Sequence, residues 1–447
     1  MIKKTILLLA IINHLALFSQ IPQSEQNKYN FIRFDKNTIQ TYTNTNPFLP
    51  IFNKLDNIAK EGEGSLHVLH IGDSHIQADY FSGHVRHLLQ NNNASSTGSR
   101  GIIFPYRLAD KRANDPFNYT WKWTGIWTGT KNTSSQITNN MGITGNYAIT
   151  NSPNATLTFI QRSFIPYPKY EYDKIKIYHN TSSNSYIPKI INDVTILETR
   201  VNNEIGYTEF ILEKPLSDTL FLEFSQTDSL QTFFELHGIL LELSESGITY
   251  SACGVNGSDV SDWLKCNMLP DQIADLQPDL IIISLGTNDC YPKYFNSEQF
   301  SENLDKLMKT LTNLHLKVPI ILTTPGDNYR SGVYLNTNLN KTASIIHSIA
   351  AKYKQNVWDF FEIMGGENSV TLWHQEGLTG KDKLHYTKKG YYLQAELFYD
   401  ALMKKYSEYI AANYPAIEKV TITLPPLLET FNAEYFNTET QKKKRKN

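Results

Sequence analysis

Four short blocks of the chain carry residue types suited to nucleophilic attack on an acyl group. The first, Gly72-Asp73-Ser74-His75, follows the strand-like run 66–71. A serine in a turn between a strand end and a helix N-terminus is where an α/β sheet presents a nucleophile, and the helix dipole there favours developing negative charge. The last block, Asp382-Lys383-Leu384-His385, precedes the final helical segment. A separation of three residues lets a carboxylate and an imidazole share one loop. The imidazole can then take the serine proton while the carboxylate fixes its tautomer. Between them lie Gly254-Val255-Asn256-Gly257-Ser258 and Gly286-Thr287-Asn288-Asp289. Glycine in such a loop lets a backbone N–H approach a reacting oxygen, and an asparagine amide can donate to an oxyanion. Each block alone also reads as ordinary turn or cap chemistry. In this order, with the first three closing successive strand-like runs, the four are hard to explain as accident.

The surrounding pattern supplies elements to position them. A strand-like run at 66–71 is followed by helical spacing over 79–89, then by alternating short runs separated by Asn, Ser, Gly and Pro clusters from about 115 to 245. After residue 247 strand-like runs at 248–251, 279–285, 318–324 and 356–359 alternate with helical segments at 297–314, 339–353 and 388–406. That alternation predicts a parallel, doubly wound sheet whose first strand lies before the β-rich block. The expectation is one α/β domain in two parts, 66–114 and 246–410, with a β-sandwich or jelly roll inserted at 115–245. Residues 21–65 read as a polar lead-in and 411–447 as a tail.

Composition bounds the function. With 447 residues, 40% of them hydrophobic, the chain can bury a large core. A net charge of -2 argues against a general polyanion or nucleic-acid binder. The basic cluster Lys442, Lys443, Lys444, Arg445 and Lys446 reads as a solvated end. Lys3 and Lys4 before the apolar run 5–18 fit a signal peptide ending near residue 20, so an exported protein is expected, with no membrane span after its removal. Three cysteines without a CxxC make neither a disulfide framework nor a zinc site. His67, His70, His75, His84 and His87 crowd one stretch, but His67 and His70 fall on opposite faces of a strand and no carboxylate or cysteine completes a set, so no metal is expected. Trp121 and Trp123 share one strand face, where core packing is the expected role and sugar stacking the alternative.

Taken together, Gly72-Asp73-Ser74, Gly257, Gly286-Thr287-Asn288-Asp289 and Asp382-x-x-His385 resemble the four blocks of the SGNH (GDSL-like) hydrolases over 66–110 and 247–406. The resemblance implies a three-layer, flavodoxin-like α/β/α domain without cofactor. It implies Ser74 as nucleophile, His385 as base with Asp382 behind it, and Ser74 N–H, Gly257 N–H and the Asn288 side chain as oxyanion hole. A narrower similarity is to the Ape/PatB-type peptidoglycan O-acetylesterases: Gly72-Asp73-Ser74-His75 with Asp79, the β-rich insert, Gly-Val-Asn-Gly, Thr323-Thr324-Pro325 and Trp373. In that group the insert resembles a carbohydrate-binding module. The implied function is an exported esterase, periplasmic or extracellular, that removes O-acetyl groups from a glycan such as peptidoglycan. His75, Asp79 and Trp373 are then expected at the substrate. The alternatives are an O-acetyltransferase acting on a polysaccharide through the same acyl-serine, and a glycan-binding protein on an idle hydrolase scaffold.

Overall fold

The computed structural model describes residues 19–91, 96–162, 170–413 and 422–423. The apolar N-terminal run and the Lys442–Lys446 cluster lie outside the described residues.

The α/β part is built on six strands: β1 (Ile39–Thr41), β2 (Ser65–Gly72), β3 (Gly247–Gly254), β4 (Leu280–Ser284), β5 (Ile320–Thr323) and β6 (Asn356–Trp358). They lie in the order β3-β2-β4-β5-β6-β1, parallel except for β1, which runs antiparallel at the edge beside β6. The five parallel strands have the flavodoxin-like order, with its switch point between β2 and β4. Side chains alternate across this sheet. Leu280 and Ile282 enter one core with Val68, Tyr250, Ile321 and Trp358, whereas Ile281 and Ile283 enter another with Leu69, Ile71, Leu322 and Val357. Each such buried aliphatic side chain contributes about 1.5–3 kcal/mol of transfer free energy. Helices α1 (Leu49–Glu61), α2 (Tyr80–Gln90) and α5 (Lys388–Asn413) cover the first face, and α3 (Ser297–Thr312) and α4 (Leu339–Lys352) cover the second. The result is a three-layer α/β/α arrangement. The segment read as a polar lead-in holds both the edge strand β1 and α1, whose Phe48, Ile51 and Phe52 are buried in the first core.

Two antiparallel sheets make up the β-rich region. One has four strands, Ile187–Ile190, Thr219–Ser225, Ala155–Gln161 and Tyr119–Trp123; the other has seven, among them Tyr172–His179, Tyr207–Leu216 and Phe234–Glu242. Leu157, Phe159, Leu222 and Phe224 from the first sheet meet Ile175, Ile177, Leu236 and Ile239 from the second in a third core, so the two form a sandwich. Trp121 is buried there, and Trp123, half-buried, packs against the same core, which favours packing over sugar stacking. Gly101–Ile103, upstream of residue 115, already pairs with Ile239–Leu241 of the larger sheet. The outer face of that sheet is not free: Tyr147, Tyr178 and Leu240 pack into the second core of the α/β part. Among the described residues no helix is long and apolar enough to cross a membrane.

Candidate active site

Ser74 begins the short helix Ser74–Gln77 directly after β2, at the carboxyl end of the sheet and beside the switch point. Asp73 caps that helix, accepting the His75 N–H at 2.9 Å, and its burial pushes the carboxyl up to about 6. The Ser74 hydroxyl lies 3.0 Å from His385 Nε2, and His385 Nδ1 lies 2.8 Å from Asp382 Oδ2. Asp382 Oδ1 also accepts the backbone N–H groups of Leu384 and His385, both at 3.1 Å, so the loop folds around its own carboxylate. Partial burial would raise the Asp382 carboxyl, but the His385 ring and these N–H groups outweigh it and hold it below the usual range. This chain of contacts can move a proton from the serine to an imidazole whose tautomer the carboxylate sets.

Blocks two and three close around the same point. Gly254 packs against the nucleophile turn so tightly that a Cβ there would lie 2.2 Å from Gln77 N and 2.6 Å from Asp73 O. Gly257, by contrast, is exposed, has φ +82° and faces open space. Of the two glycines, Gly257 is therefore the one whose backbone is free to meet a ligand. Neither the Ser74 nor the Gly257 N–H has an acceptor among the described residues. Asn288 donates one amide hydrogen to Ser258 O at 2.9 Å, which leaves it the second. Asp289 accepts the Val260 N–H at 3.1 Å; burial, with Asp259 adding to it, pushes this carboxyl up to about 8.

Several positioning contacts were not legible as motifs. Gln77 Oε1 accepts Asn256 N–H at 2.6 Å, and Val255 N–H reaches Gly72 O at 3.2 Å. Lys131 of the sandwich donates to Asn256 O at 3.1 Å, and Asn132 to Ser258 Oγ at 3.0 Å. Only the position of Gln77, three residues after Ser74 on one helix, was a signal available in the sequence.

The three residues expected at the substrate fall in different places. His75 is at the site: its ring lies 5.2 Å from that of His385, and its Nδ1 is 2.9 Å from the Tyr391 hydroxyl. Burial, then the neighbouring His385, pushes its pKa down to about 3, so it stays neutral. Asp79 is a correction. Its carboxylate is 1% exposed and fully engaged by Arg86 at 3.0 Å, Arg100 at 2.9 Å, Asn118 at 2.7 Å and Ser82 at 2.6 Å. Trp373 is a second correction: it is fully buried, with its indole N–H on Met364 O at 2.9 Å. Short spacing to a motif does not tell whether a polar or aromatic side chain turns inward. The crowded histidines are also structural. His67 bonds Ser251 at 2.8 Å, and His70 bonds Tyr250 and Ser284, both at 2.7 Å.

Fold and site now define a class. Residues 239–393 match the model of the GDSL-like Lipase/Acylhydrolase family, and the protein is a carboxylic-ester hydrolase. A solved peptidoglycan O-acetylesterase shares the fold over most of the chain: TM-score 0.67, 20% identity, covering 83% of this chain and 99% of its own. A lipase/acylhydrolase from Enterococcus faecalis (TM-score 0.29, 20% identity, 36% of this chain and 78% of its own) and an acetyl xylan esterase (TM-score 0.29, 17% identity, 35% and 81%) are similar over much shorter stretches. No curated protein matches the chain.

Proposed function

We propose that the protein is an exported serine esterase that removes O-acetyl groups from a glycan, with peptidoglycan as the first candidate substrate. The observation that carries the reading is the unbroken chain Ser74 Oγ–His385 Nε2–His385 Nδ1–Asp382 Oδ2, at 3.0 and 2.8 Å. In this reading Ser74 attacks the acetyl carbonyl as His385 takes its proton. The oxyanion is held by the Ser74 and Gly257 N–H groups and the Asn288 amide, none of which is used up within the protein. His385 then protonates the departing sugar oxygen, and water hydrolyses the acetyl-serine with His385 again as base. The Asp382 and His385 side chains are 50% and 43% exposed, so water reaches the acyl-serine, which favours hydrolysis over transfer to a second sugar. The likeness to the solved O-acetylesterase supports the choice of glycan, and the signal-like N-terminus supports export.

The test is hydrolysis of p-nitrophenyl acetate, then of O-acetylated peptidoglycan, by wild type beside Ser74→Ala and His385→Ala. Both variants are expected to lose at least ~100-fold in kcat. Turnover by Ser74→Ala at the wild-type rate would overturn the assignment.

A further inference from the structure

A small hairpin packs against the loop of the fourth block. Tyr329–Arg330 pairs with Tyr334–Leu335, and the hairpin touches the fourth block and the loop just after the third. Ser331 N–H donates to the Tyr291 hydroxyl at 2.8 Å, just after the Asn288 block. Tyr329 N–H donates to Lys383 O at 2.9 Å, and Gly332 sits against Lys381 and Asp382, a Cβ built on it lying 3.4 Å from Lys381 O. The hairpin thus lies beside the loop that carries Asp382 and His385.

Arg330 and Tyr334 are direct cross-strand partners, so their side chains share one face. Tyr334 is 67% exposed, as is Val333 at the turn. Arg330 is half-buried. Its Nε is sheltered from water and has no acceptor, and its guanidinium forms no ion pair or hydrogen bond among the described residues. A planar cation kept partly dry and unpaired is costly unless an anion completes it, and a guanidinium accepts a carboxylate through two parallel bonds. An aromatic face beside it suits the C–H face of a sugar ring.

We propose that Arg330 and Tyr334 form a subsite for a carboxylate-bearing sugar of the glycan, Arg330 taking the carboxylate and Tyr334 the ring. The proposal rests on the reading of the neighbouring centre as a glycan esterase and narrows its substrate to acidic glycans. The carboxylate belongs to a uronic acid or to the lactyl group of a muramic acid that carries no stem peptide.

The experiment uses the full mature chain carrying Ser74→Ala, so that binding is read without turnover. Calorimetric titration compares the disaccharide of N-acetylglucosamine and N-acetylmuramic acid, tetragalacturonate and neutral chitotetraose. At least one acidic sugar is expected to bind at least about tenfold tighter than chitotetraose, and the one that does identifies the source of the carboxylate. Adding Arg330→Gln is expected to abolish that preference, and Arg330→Lys to restore part of it. Lys306→Gln, an exposed lysine on α3, serves as control and is expected to leave the preference intact. Equal binding of acidic and neutral sugars, or an unchanged preference in a folded Arg330→Gln protein, overturns the subsite. Failure of the esterase reading is read separately, as absence of wild-type turnover of p-nitrophenyl acetate.

Discussion

Gln77 Oε1 takes the Asn256 N–H at 2.6 Å, and so ties the helix that starts at Ser74 to the turn that carries Gly257. In the proposed mechanism this side chain holds the nucleophile and the Gly257 oxyanion donor in register. Gln77→Ala should lower kcat about tenfold with a smaller change in KM, because the Gly257 turn loses its anchor in the transition state. Gln77→Glu keeps the acceptor and should recover part of the rate. Steady-state kinetics on p-nitrophenyl acetate check this, and equal kcat in all three proteins would refute it.

Asn288→Ala should cost about 10²–10³ in kcat, the usual effect of deleting one oxyanion donor. Gly257→Ala should act through the backbone instead. The added Cβ meets nothing, but φ +82° costs a non-glycine residue roughly 1–2 kcal/mol, so the turn relaxes and activity falls while global unfolding changes little. Kinetics beside thermal unfolding separate the two effects.

Asp79 joins the region after the nucleophile helix to Asn118 at the start of the sandwich, with Arg86 and Arg100 buried around it. Asp79→Asn strands two buried cations and should destabilise the fold by about 3–5 kcal/mol in urea unfolding. Burial pushes the Asp79 carboxyl up, but Arg100 and Arg86 outweigh it and leave it at about 2. A depressed carboxyl stabilises above its unfolded value near 4 and loses that contribution as pH falls towards 2. Wild type should therefore weaken over this interval more steeply than the variant.

His70 titrates in the opposite sense to a paired histidine. Full burial lowers its pKa to about 3, whereas the unfolded ring titrates near 6.5. Between these values the unfolded chain binds the extra proton, so stability rises with pH across the window and is complete above it. His70→Gln should be less stable than wild type at pH 7 yet lose less on going to pH 4.5. Urea midpoints at the two pH values decide it.

Much of the architecture was legible in the sequence because it obeys local rules. The unbroken apolar run at 280–283 fits a strand covered on both faces, helical spacing at 339–353 fits a helix with one face on a layer, and the blocks sit where strands of an α/β sheet end. Asp79 and Trp373 were misplaced because burial depends on partners far along the chain: Arg100 and Asn118 for the one, Met364 and the core around it for the other. The lead-in at 24–64 reads as polar with one apolar patch at 48–52, yet α1 buries Ile51, Phe52 and Leu55 on one side while exposing Asn53 and Lys54 on the other. The Lys131 and Asn132 contacts depend on how the sandwich lies against the Gly257 turn, which no spacing encodes.

The larger sheet of the sandwich lends its outer face to the hydrolase core, through Tyr147, Tyr178 and Leu240. Such a region is not a detachable cassette. Excision would strip apolar cover from the catalytic half and remove the lysine that steadies the Gly257 turn, so descent by simple domain shuffling would have left an enzyme that neither folded nor turned over. Sandwich and hydrolase are bound to diverge as a pair, and recombination between relatives should succeed only when both halves are exchanged together.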